Sequence, residues 1–292
     1  MTRGPDFMVI SSITAGILLM VTAMAFSAGI DGLVKHLGGT YPIVQVTFFR
    51  FLSGTLILLP FVMHRGIAAT LRTRRPGLHF VRCALTFIAI FGAFTALSLL
   101  PLAENGTLYF TTPLIVTLLA RPLLGEPVGR RRMMAVIVGF LGVLVMLRPG
   151  GAVVSPGAAV ALGAAVFGAL ATLVVRALGR TESTLTSVAY FTLFGLAASA
   201  AMVPWGWVWP DLGDLALFAG LGLLTTSAQM LFTQALRLAP ASTLAPATYT
   251  LLLFDGAVGY AVFDAVPAPE TLLGAPLIVG AGLVVALTHR RT

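Results

Sequence analysis

Apolar residues run along this chain in stretches of about twenty, and short polar or turn-forming clusters separate them. A membrane-spanning helix needs about 20 mostly apolar residues, and ten stretches qualify. The first five run from Met8 to Ile30, Ile43 to Met63, Leu78 to Leu99, Thr107 to Leu124 and Met133 to Leu147. The second five run from Pro156 to Val175, Leu185 to Val208, Leu215 to Leu236, Ser242 to Phe263 and Thr271 to Thr288. Breaks fall on turn chemistry such as Gly38-Gly39, Arg75-Pro76-Gly77, Pro149-Gly150-Gly151 and Pro267-Ala268-Pro269. The pattern predicts an all-α integral membrane protein of ten transmembrane helices.

Composition fits lipid as the solvent. The chain is 58% hydrophobic and 10% charged, with a mean hydropathy of +0.99. A soluble domain carries about 25% charged residues, so this chain could not cover a water-facing surface. A net charge of +8 would suggest nucleic-acid binding in a soluble protein. Here the basic residues cluster between the spans. With the N-terminus in the cytoplasm, fourteen of the 18 Lys and Arg fall in inside segments. Lys35 and Arg148 fall outside, and Arg50 and Arg82 lie within helices. That asymmetry follows the positive-inside rule and predicts cytoplasmic termini. The first run has no A-x-A-like cleavage site, so it reads as a span rather than a signal peptide. Cys83, the one cysteine, excludes an internal disulfide and reads as a packing residue.

The two halves echo each other. Ala96-Leu97-Ser98-Leu99-Leu100-Pro101 precedes the fourth span, and Ala235-Leu236-Arg237-Leu238-Ala239-Pro240 precedes the ninth. Gly139-Phe140-Leu141-Gly142 in the fifth span resembles Gly280-Ala281-Gly282 in the tenth. The separation is about half the chain, giving units over residues 8–148 and 156–288. Five helices per unit is odd, so the second unit enters the membrane inverted. Inverted repeats accompany alternating access around a central site.

The order of these elements resembles the EamA-type members of the drug/metabolite transporter superfamily over nearly the whole chain. The resemblance rests on Phe48-Phe49-Arg50 followed by Leu58-Leu59-Pro60-Phe61, and on Arg75-Pro76 with His79 and Arg82. It continues through Pro113-Leu114, Leu124-Gly125-Glu126-Pro127, Gly139-Phe140-Leu141-Gly142, Tyr249-Thr250, Pro267, Gly274 and Ile278. The Phe-Phe-Arg and Arg-Pro-x-x-His segments are similar to the S-adenosylmethionine uptake members. The resemblance implies two five-helix bundles with a pocket between them. The chain departs from the family pattern at Ala265, where a glutamate is usual, and at Asp255 in the ninth span.

Ionisable groups inside a membrane are costly and normally face a cavity or a partner. Asp255, near the middle of its span, is read as binding a substrate amine or a proton, or as pairing with an arginine such as Arg50. Arg50 is read as a structural partner or a ligand for a substrate carboxylate or phosphate. Arg82 is expected to anchor a helix end by snorkelling to the cytoplasm. Tyr109 and Tyr249 occupy comparable places in the two halves and are candidate binding residues, with Asn105 one turn before Tyr109, and with Gln229 and Tyr190. Asp31, Lys35 and His36 at the end of the first span are either solvated interface charges or an outer gate. Pro113 and Pro246 each remove a backbone hydrogen bond, and the freed carbonyls need partners or a wet cavity.

No G-x-x-x-x-G-K-[ST] loop, H-E-x-x-H motif or buried catalytic pair occurs, and the four histidines are expected at membrane edges. No cofactor, metal or nucleic acid is expected, and the chain is not read as an enzyme. The expected partners are a small-molecule substrate and the bilayer, with a homodimer left open. The sequence therefore predicts a secondary transporter of the bacterial inner membrane. It exports a small polar metabolite such as an amino acid or an amino-acid-derived compound, with Asp255 binding either the substrate amine or a coupling proton. The alternative is uptake of S-adenosylmethionine, riboflavin or a similar compound.

Overall fold

The computed structural model of the chain describes residues 5–99, 108–147, 155–203, 207–264 and 273–281. All regular structure among them is helical. The first half holds α1 (Pro5–Leu37), α2 (Ile43–Arg65), a short α3 (Ile67–Leu71), α4 (Pro76–Leu99), α5 (Thr112–Leu124) and α6 (Arg130–Leu147). The second holds α7 (Pro156–Leu178), α8 (Thr184–Met202), α9 (Leu212–Leu238), α10 (Ala241–Thr248), α11 (Thr250–Phe263) and α12 (273–281). Six of them, α1, α2, α4, α7, α8 and α9, are long and apolar enough to cross a membrane, and α5 is a shorter apolar helix.

Side chains start several helices. Ser155, Ser183 and Asp211 accept the backbone N–H of Ala158, Thr186 and Asp214 at 3.1, 3.0 and 2.7 Å, filling donors that a helix start leaves free. The largest interfaces join opposite halves: α1 lies along α9, α4 along α7, α2 along α9 and α8, α1 along α11, and α5 along α7 and α10. Small residues set these close approaches, as expected where lipid offers no hydrophobic drive for helices to associate. A Cβ on Gly16 would lie 2.9 Å from Ala239 Cβ, and one on Gly92 would lie 3.0 Å from Ala164 Cβ.

The run predicted as one ninth span is two helices, α10 and α11, parted at Tyr249. The fourth is interrupted at Phe110–Thr111, between residues 108–109 and α5. Pro113 cannot donate to Tyr109 O, and the Thr112 hydroxyl donates there instead at 2.6 Å. Thr111 donates to Leu108 O at 2.6 Å, and Thr250 donates to Ala247 O at 2.7 Å, the same bond at the same place in the other half. Both helices then end on a left-handed residue, Gly125 (φ 68°) and Asp264 (φ 51°). The N–H of Gly125 bonds Ala120 O and that of Asp264 bonds Gly259 O, again matching positions.

Candidate functional site

A cavity of about 250 Å³ lies where the two interrupted helices face α1, α7 and α9. Its apolar wall includes Met20, Met24, Phe110, Val116, Phe232 and Leu251. Its polar wall is Ser27, Tyr109, Thr112, Thr172, Gln229 and Thr248. Among the described residues no charged side chain lines it. Both helix breaks sit on it, so the backbone irregularity is placed where it lines a cavity rather than lipid.

Charged groups gather one helical turn beyond. Asp31 follows the lining Ser27 by four residues on α1, and Asp255 follows the lining Leu251 by four on α11. Asp31 stands within electrostatic range of Arg50, Asp255 and Tyr109. The Arg50 Nε and Asp255 Oδ1 atoms are buried, and no protein group bonds them. Among the described residues neither carboxylate comes within 4.0 Å of Arg50; the ion pairs at that range are Arg176–Glu126 and Arg180–Glu126. Lys35 lies against the Phe263 ring, 4.3 Å from its centre, and His36 is exposed.

The remaining candidates divide. Tyr109 and Gln229 line the cavity. Tyr249 does not: it is fully buried, and its ring fills the space that a side chain on Gly139 would need. Tyr190 is stacked on His79 with ring centres 4.5 Å apart, and its hydroxyl donates to Leu71 O at 2.8 Å. Asn105 lies outside the described residues. One expectation about exposure is corrected. Arg82 does not snorkel; it is 2% exposed and donates to Ser187 O at 2.6 Å and Gln229 Oε1 at 3.3 Å, with Phe191 under its guanidinium. His79, near the start of α4, is likewise covered by the protein, at 1% exposed.

A second polar centre, at the Arg-rich end, was not signalled by residue pattern alone. Glu126 is 5% exposed and accepts Arg176 Nε at 2.6 Å and the backbone N–H of Ala241 at 2.9 Å. Arg176 Nη1 donates to Leu236 O and Arg237 O at 2.7 and 3.1 Å. The carboxylate thus caps the start of α10 and the guanidinium the end of α9, each matching the helix dipole it meets. Arg180 donates to Leu124 O at 2.8 Å and Arg237 to Gly179 O at 3.3 Å, closing the same end. At the opposite end the groups are aromatic: Trp207 lies against Phe48, Phe49 and Trp209, and Tyr41 donates to Asp214 at 2.5 Å.

Comparison with known proteins agrees with this arrangement. A profile described as the EamA-like transporter family matches residues 14–148 and again 155–287. The S-adenosylmethionine uptake transporter of Rickettsia bellii is 28% identical over 276 residues, covering 94% of each chain. The pseudopaline exporter CntI of Pseudomonas aeruginosa is 29% identical over 290 residues, covering 97% of this chain and 100% of its own. The riboflavin transporter of Vibrio cholerae is 29% identical over 269 residues, covering 90% of each. A crystal structure at 23% identity superposes with a TM-score of 0.80 over 96% of this chain and 98% of its own, a likeness of fold.

Proposed function

The chain belongs to the EamA-like transporter family of multi-pass membrane proteins, and on that footing we propose that it exports a small amino-acid-derived metabolite by alternating access. Ten spans form two inverted five-helix repeats, residues 8–148 and 156–288, in a bacterial inner membrane with both termini cytoplasmic. The helix pairings support the repeat, because exchanging each helix for its counterpart returns the same pairs: α1 with α9 becomes α7 with α4. The matched breaks at Phe110 and Tyr249 support it too.

The observation that carries the transport reading is the cavity. It is closed at the Arg-rich end by Glu126, Arg176 and Arg180, and it leads at the other end to Asp31, Asp255 and Arg50. With the Arg-rich end inside, solute enters from the cytoplasm only when the Glu126 clamp opens. Ser27, Tyr109, Thr112, Thr172, Gln229 and Thr248 bind the solute, and Asp255 with Asp31 and Arg50 takes up and releases the coupling proton. The volume of about 250 Å³ lies below the range of roughly 300–1,000 Å³ typical for drug-sized ligands, which favours a solute of amino-acid size. Uptake of S-adenosylmethionine is the second reading, favoured by the likeness to the Rickettsia bellii transporter.

Radiolabelled flux in proteoliposomes tests both. A panel of amino acids, S-adenosylmethionine and riboflavin is measured with and without a pH gradient, for the wild type and Asp255→Asn. Amino-acid flux that responds to the gradient, with the response lost in the variant, is expected. Flux of S-adenosylmethionine alone would select the second reading, and a gradient response surviving in the variant would remove Asp255 from coupling.

A further inference from the structure

Four of the five hydroxyls that line the cavity are already committed as donors; the fifth is the Tyr109 phenol. Ser27 donates to Ala23 O at 2.9 Å, Thr172 to Gly168 O at 3.0 Å, and Thr248 to Ala245 O at 2.7 Å. Thr112 donates to Tyr109 O at 2.6 Å. Each hydroxyl has one proton and two lone pairs, so what all four offer a solute is acceptor oxygen. Their partners are backbone carbonyls three or four residues back, with Thr112 also 3.4 Å from Ala165 O on α7, and the bond from Thr112 to Tyr109 O repairs the gap left by Pro113.

Gln229 is the opposite case. Its Oε1 accepts from Arg82 Nη2 at 3.3 Å. A guanidinium has no acceptor, so the carboxamide cannot turn its nitrogen toward Arg82 without losing that bond and placing N–H groups against N–H groups. Arg82 is itself fixed, 2% exposed, by Ser187 O at 2.6 Å and by the Phe191 ring at 5.2 Å. The amide therefore presents Nε2 donors to the cavity, with a buried positive charge behind it.

We propose that the cavity has two poles: Gln229, oriented by Arg82, receives a carboxylate of the solute, and the oxygens of Ser27, Thr112, Thr172 and Thr248 receive its ammonium. The occupant is thus a zwitterionic α-amino acid or a compound that carries that group. Arg82 is a positioning residue, since it reaches the solute only through Gln229. The two-pole assignment rests on the transport reading above and narrows its substrate class.

Selectivity between an amino acid and its decarboxylated amine tests it. For whichever amino acid the wild type transports in proteoliposomes, inhibition of labelled flux is compared for the unlabelled amino acid and for the amine lacking its carboxylate. One lost hydrogen bond with charge behind it corresponds to at least about tenfold weaker inhibition by the amine. Gln229→Leu is expected to bring that gap below about threefold, and Gln229→Glu to reverse it by repelling the carboxylate. Arg82→Met is expected to narrow it as Gln229→Leu does, although Arg82 does not line the cavity. Thr172→Val is expected to weaken inhibition by the amine and leave the gap at the Gln229 end in place. Should Arg82→Met fail to fold, the two Gln229 variants carry the test. A wild type that transports amino acids while Gln229→Leu keeps the full gap would overturn the two-pole assignment alone. A wild type that transports no member of the panel would overturn the transport reading and this assignment with it.

Discussion

Around Glu126 the buried charges are all partnered: one carboxylate oxygen meets Arg176, the other the Ala241 N–H, and Arg176 reaches two further carbonyls. Around Asp255 the buried Oδ1 has no protein partner, nor has the Arg50 Nε nearby. Both regions pay desolvation, and only the first recovers it through contacts within the chain. A buried polar group left unpaired costs about 1–3 kcal/mol, and the same cost falls on other buried groups such as the Tyr249 hydroxyl and both His79 ring nitrogens. The two regions differ in what holds them: Glu126 is tied to α7 and α10 by the chain itself, whereas Asp255 Oδ1 has no such tie among the described residues.

Removing the matched carboxylate breaks this comparison most severely. Glu126→Ala removes the counter-charge of Arg176, which is partly exposed and keeps its two carbonyl partners, and strips the cap from α10, and the expected loss is about 1–3 kcal/mol. Thermal unfolding in detergent reads it, and a shift of Tm indistinguishable from zero would make the clamp dispensable. Asp255→Asn should do the opposite, holding stability within about 1 kcal/mol of the wild type or raising it. A large fall in Tm there would mean that Asp255 is structural.

The smallest effect belongs to Tyr41, at the aromatic end between α1 and α2. Its hydrogen bond to Asp214 raises the phenol above its ordinary value of 10.0. The folded state therefore keeps a proton that the unfolded chain releases first. The bond's contribution is complete below pH 10 and is lost as pH rises through the folded-state value. Tyr41→Phe should lower Tm by a constant amount between about pH 7 and 9, with the difference shrinking above about pH 10. A difference unchanged at the highest pH would show that the hydroxyl proton is not what Asp214 holds.

The position of charged groups along each helix was legible in the sequence, and direction around each helix was not. Arg50 and Asp255 stand out as charges within apolar runs and Asp31 as a charge at the end of one, and Asp31 lies within electrostatic range of both. Tyr249 lies at the expected level but turns into the core against Gly139, because a one-residue step rotates a helical side chain by about 100°. Arg82 and His79 stand near a helix start, where snorkelling is the ordinary expectation. The approach of α8 covers them, through Ser187, Tyr190 and Phe191. Glu126 stood out only as part of a family pattern, because its partners lie on α7 and α10, far along the chain. The helix breaks were signalled by Pro113 and Pro246, yet the stapling threonines emerged only with the backbone in view.

Those paired breaks bear on how such a protein could be re-engineered. The joint is the same in both halves, with a threonine bonded three residues back, while the residues displayed on it differ: Phe110 at one, Tyr249 at the other, and Tyr109 and Thr248 on the wall beside them. The joint is held by the Thr111 and Thr250 hydroxyls, with Thr112 spanning the gap at Pro113, and the side chains that differ between the halves take no part in those bonds. Altering cargo preference is then a matter of redecorating two fixed elbows, and libraries confined to the residues flanking them would explore new cargoes without disturbing the clamp at the far end.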